Sequence, residues 1–123
     1  MEEKKSMAIE QLLEAMTAKM GKSPETMVML SQVNESAVFE HVANQNFAMS
    51  GTHIPPKHKL LINLAASAAM GAKKCISNYT NMALKSGVSK EEIVEALLLA
   101  RFVKSSSVMS ASSDALRMLT NKN

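Results

Sequence analysis

A chain of 123 residues, 46% apolar and 20% charged, has the composition of an ordinary globular domain, which excludes a disordered or fibrous protein and argues for one domain over 1–123. The net charge of +3 comes from lysines interleaved with glutamates, and the only aromatic residues are Phe39, Phe47, Tyr79 and Phe102. A single-strand groove needs stacking platforms beside its cations, so nucleic acid is not an expected partner.

The first helix is predicted over residues 6–20, where Ile9, Leu12, Leu13 and Met16 recur at helical spacing and Gly21 follows as a stop. Ser23 and Pro24 predict an N-cap and a first helical proline, opening a second helix through residue 32. Val38, Val42 and Phe47, among small alanines, place a third over residues 35–49. Gly51 and Pro55-Pro56 mark a loop, with Pro56 suited to start the fourth helix, over residues 56–70. That helix is apolar on nearly every side from Leu60 onward, the pattern of a helix buried in a bundle or an oligomer. Gly71 breaks it, and a fifth helix over residues 72–86 ends at Gly87 with Lys85 in its last turn. Ser89 and Glu92 form a capping box for a sixth helix, expected to end near Phe102. The serines at 105–107 then lead into a last helix carrying Val108, Ala111, Ala115 and Leu119. No segment alternates with period two, so the fold class is all-α, with six to seven helices.

The apolar runs 60–70 and 93–100 fall short of the ~20 residues that span a bilayer. Residues 1–5 are charged with no apolar segment behind them, so neither a membrane span nor a secretory leader is read. The expected location is cytoplasmic. His41, His53 and His58 lack ligand spacing, and a single cysteine rules out a multi-cysteine site, so no metal and no cofactor is expected.

Cys75 is the one reactive side chain with an informative setting. It falls in the first turn of the fifth helix, where unpaired amides and the helix dipole favour negative charge, and Lys73 and Lys74 precede it. Both effects favour the thiolate. Tyr79, four residues on, shares its helix face and offers a hydrogen-bond donor. Against this, lone cysteines are among the most buried residue types, and packing is the competing role. Lys59, Asn63 and Ser67 form a polar stripe on the fourth helix that either lines a pocket or faces solvent.

The stretch 59–79, KLLINLAASAAMGAKKCISNY, and its continuation 83–100, ALKSGVSKEEIVEALLLA, resemble the core of the carboxymuconolactone decarboxylase/AhpD-like superfamily. The likeness covers residues 57–100 closely and extends over 39–119. It implies a compact all-α domain assembled as a homo-oligomer, commonly a trimer or hexamer. The redox branch of that superfamily, which serves peroxiredoxin-type antioxidant chemistry, uses C-x-x-C with a histidine four residues later and a glutamate in the preceding helix. Position by position these fall on Ala72, Cys75, Tyr79 and Leu60, so only the second cysteine is kept. Two-cysteine turnover is thereby closed to this chain, whereas a one-cysteine route through a sulfenic acid stays open if an external thiol resolves it. On this likeness Cys75 and Tyr79 are the catalytic candidates, with Lys73 and Lys74 in support. Two other functions remain compatible: a lactone decarboxylase-like lyase, whose usual histidine is replaced by Tyr79, and a non-catalytic oligomer binding a ligand or partner.

Overall fold

The protein, described from a computed structural model over residues 2–121 with side chains from residue 8 on, is all-helical: no strand occurs among the described residues. The ends of the 1–123 domain range, Met1, Lys122 and Asn123, lie outside them, as do the side chains of the charged residues 2–5. The elements are α1 (Glu2–Met20), α2 (Glu25–Val33), α3 (Glu35–Met49), α4 (Pro56–Met70), α5 (Lys73–Lys85), α6 (Lys90–Ala111) and α7 (Ser113–Thr120). No described helix is long and apolar enough to cross a membrane.

The chain divides into two compact units, Met1–Lys59 and Leu60–Asn123, the boundary falling one turn into α4. In the first unit α2 packs on α1 and α3. Ile9 and Val38 are buried there, and Asn34 caps α3 by accepting from the Ala37 amide at 3.1 Å. Pro24 departs from expectation: it is the N-cap of α2 and not its first helical residue, with ψ of 79°. Its own carbonyl takes the first helical bond, from the Val28 amide at 2.9 Å, while the Ser23 carbonyl accepts from the Glu25 amide. The ammonium of Lys59 donates to the carbonyls of Met49 and Gly51, fastening the end of α3 and the loop behind it.

In the second unit the glycine stops work as the sequence predicts. At the end of α4 the Ala72 amide donates to the Ser67 carbonyl at 2.9 Å and the Gly71 amide to Ala68 at 3.1 Å. This Schellman motif requires a left-handed residue, supplied by Gly71 at φ 71°. The end of α5 repeats it, with Val88 donating to Ala83, Gly87 donating to Leu84 and Gly87 at φ 86°. Val88 and Ala83 are both buried, completing the apolar contact of the motif. The capping box closes in both directions, Glu92 amide to Ser89 hydroxyl at 3.1 Å and Ser89 amide to Glu92 carboxylate at 3.0 Å.

Ile93, Ala96 and Ala100 form the buried face of α6, and Leu60, Leu64 and Ser67 that of α4. The opposite flank of α4, with Ile62, Ala66 and Met70, is exposed. Lys104 on α6 donates to the Ala69 carbonyl at 2.7 Å and so caps the end of α4. The sixth helix does not end near Phe102 but runs on to Ala111. Of the serines expected to break it, Ser107 satisfies its hydroxyl inside it by donating to the Lys104 carbonyl, and Ser110 beyond the run bonds back to the Ser106 carbonyl in the same way. The chain turns only at Ser112.

Candidate functional site

The amino end of α5 is set by the turn before it. Gly71 ends α4, Ala72 becomes the N-cap of α5 without a side-chain cap bond, and Lys73, Lys74 and Cys75 fill the first turn. The amides of such a turn have no helical acceptor and carry the positive end of the dipole. Cys75 is a free, solvent-exposed thiol. Within the chain it is therefore no part of the buried core, in contrast to the packing role set against it above. Lys73 and Lys74 are likewise exposed.

Tyr79 stands one turn further along the same face and is half-buried. Burial first, and the charge of Cys75 second, push its phenol above the ordinary value of 10.0. The two side chains therefore feel one another, and Tyr79 keeps its proton at neutral pH as a donor and not a base. The folded chain holds this proton more tightly than the unfolded one. The associated stability is present in full below 10.0 and is lost as pH rises through the higher folded value. With one Tyr and no Trp, the ultraviolet absorbance of tyrosinate reports this residue alone. The native midpoint is expected above 10.0 and to fall toward it in Cys75→Ser; a native midpoint at or below 10.0 would contradict the burial.

Asn78, on the same face and not singled out by sequence, has a buried side-chain oxygen without a hydrogen-bond donor. Such an orphan costs about 1–3 kcal/mol. Only its spacing of three from Cys75 would have pointed to it. The other sequence candidates lie elsewhere. Ser67 is buried and bonds back to the Asn63 carbonyl at 2.7 Å, while Lys59 holds the end of α3, so the polar stripe of α4 divides between two structural tasks. Leu60, where the redox branch has its glutamate, is buried and supplies no charge. No cluster of His, Cys, Asp or Glu able to hold a metal occurs among the described residues.

An all-helical protein with three glycine-stopped helices, a capping box and an exposed thiol in the first turn of α5 is the class that fold and site define. Residues 36–118 match the carboxymuconolactone decarboxylase family, and the chain belongs to it. No curated protein matches the chain.

Proposed function

We propose that the protein is a one-cysteine thiol peroxidase, an antioxidant member of its family. The observation that carries this reading is the exposure of Cys75 in the first turn of α5, between two lysines and a protonated tyrosine. The Cys75 thiolate attacks the distal oxygen of a hydroperoxide. The S–O bond forms as the O–O bond breaks, and the departing alkoxide or hydroxide takes a proton from solvent while the Tyr79 hydroxyl donates a hydrogen bond to it. Sulfur is oxidised to the sulfenic acid and the peroxide is reduced to an alcohol or water. An external thiol then displaces water to give a mixed disulfide, and a second external thiol releases the external disulfide and returns Cys75 to the thiol. Each peroxide thus consumes two thiols, which fits a reducing compartment such as the cytoplasm. Ala72 in place of a first cysteine makes the external thiol obligatory.

Peroxide and thiol followed together in one assay provide the test. Catalytic loss of peroxide with two thiols oxidised per peroxide is expected. A protein that adds nothing to the uncatalysed rate for any small or protein dithiol reductant defeats the reading and leaves ligand or partner binding as the family member's role.

A further inference from the structure

Among the described residues, Asn78 alone has a buried side-chain polar atom that no hydrogen bond satisfies. Other covered polar side chains find partners within their own helices: the hydroxyls of Thr17, Ser31, Ser67 and Thr80 each donate to a carbonyl three or four residues back. An acceptor closed to water is satisfied only from within the protein, and the resting chain offers Asn78 Oδ1 no donor.

Its place on α5 points to a donor that the resting chain lacks. Asn78 follows Cys75 by three residues, a spacing at which β-carbons on a helix stand about 5–6 Å apart. Helical side chains lean toward the helix start, so the amide of Asn78 is carried back over the turn that bears Cys75. Tyr79, one residue further on, feels the charge of Cys75, so polar groups one turn along this face lie within reach of the sulfur. The thiolate has no hydrogen to give, and the thiol is a weak donor. Oxidation changes this: the distal oxygen of a hydroperoxide arrives on the sulfur with its hydrogen attached, and the sulfenic acid presents a full O–H.

We infer that Asn78 is a catalytic residue of the oxidised state, its Oδ1 accepting the hydrogen bond of the Cys75 sulfenic acid. The inference rests on the peroxidase reading, since only oxidation creates the donor, and it adds a means of stopping at the first oxidation. A sulfenic O–H engaged by the amide keeps its proton. Over-oxidation needs the sulfenate, whose sulfur attacks the distal oxygen of a second hydroperoxide. A further S–O bond then forms as the O–O bond breaks, the departing alkoxide or hydroxide takes a proton from solvent, and the product is a sulfinic acid that simple thiols do not reduce. Recovery needs the protonated acid: an external thiolate forms the S–S bond as the S–O bond breaks, and the oxygen leaves with its hydrogen, taking a second proton from solvent. One hydrogen bond thus slows loss of the cysteine and assists its return.

Asn78→Leu keeps the branching of the side chain and removes the acceptor, and Asn78→Ala removes it with a smaller group, deciding the matter should the leucine variant fail to fold. Native protein and variants, each checked by helical circular dichroism, are exposed to excess hydrogen peroxide, and the sulfenic and sulfinic forms of Cys75 are followed over time by peptide mass. The variants are expected to reach the sulfenic acid at the native rate and to pass on to the sulfinic acid at least roughly fivefold faster. Equal second-step rates overturn the role of Asn78 and leave the peroxidase reading standing, as does a variant slowed in the first step alone. A native Cys75 that forms no sulfenic acid overturns both.

Discussion

Cys75→Ser is expected to abolish thiol-supported peroxide turnover and to leave the fold intact. A serine hydroxyl stays protonated at neutral pH and forms no sulfenic acid, so neither the attack nor the recycling step survives. The side chain is exposed, and an exposed isosteric change alters stability by no more than about 0.5 kcal/mol. The variant will not be wholly inert toward peroxide. Of eleven methionines, Met29, Met70 and Met118 are well exposed, and their thioethers are oxidised to sulfoxides. That reaction is stoichiometric and no simple thiol reverses it, so it survives in the variant as a slow loss of peroxide without thiol consumption. Turnover that persists with thiol oxidation in Cys75→Ser would move the chemistry off this residue altogether.

Leu64→Ala is expected to be the most damaging conservative change in the second unit. Leu64 is fully buried on the inner face of α4, and removing its isobutyl group loses transfer free energy and leaves a cavity, at a cost of about 2–5 kcal/mol. Against a total of about 5–15 kcal/mol for a domain this is a large share. Ile62→Ala on the outer flank of the same helix, where the side chain is 51% exposed, should cost far less. Urea midpoints at one fixed protein concentration compare the two, with concentration held because association contributes to apparent stability. Equal losses would mean that the outer flank of α4 is covered in solution, which would make that helix an assembly element.

What the sequence made legible was local chemistry. Gly71 and Gly87 are required by left-handed turns, Pro56 is tolerated at a helix start because its missing amide has no partner there, and Ser89 with Glu92 is a reciprocal pair three residues apart. Each feature is decided within a few residues, and each stands where it was read. The position of Cys75 in a first turn followed from Gly71 by the same logic. Three other matters are settled by distant contacts or by competition between equals. A proline after serine suits both the cap and the first turn, and Pro24 took the cap. A run of serines either breaks a helix or bonds back into it, and Ser107 does the latter. The apolar character of α4 could not show which flank is covered within the chain. At the site, sequence placed Cys75 and Tyr79 on one face but gave no sign of the burial of Tyr79 or of the orphaned oxygen of Asn78, since both depend on what packs against α5.

Trapping after a single turnover tests the central claim most directly. Native protein is treated with one equivalent of hydroperoxide in the presence of a dimedone-type reagent, and the adduct is located by peptide mass. A sulfenic acid adduct on Cys75, formed faster than any methionine sulfoxide, is the expected result; oxidised methionines beside an unmodified Cys75 would contradict it.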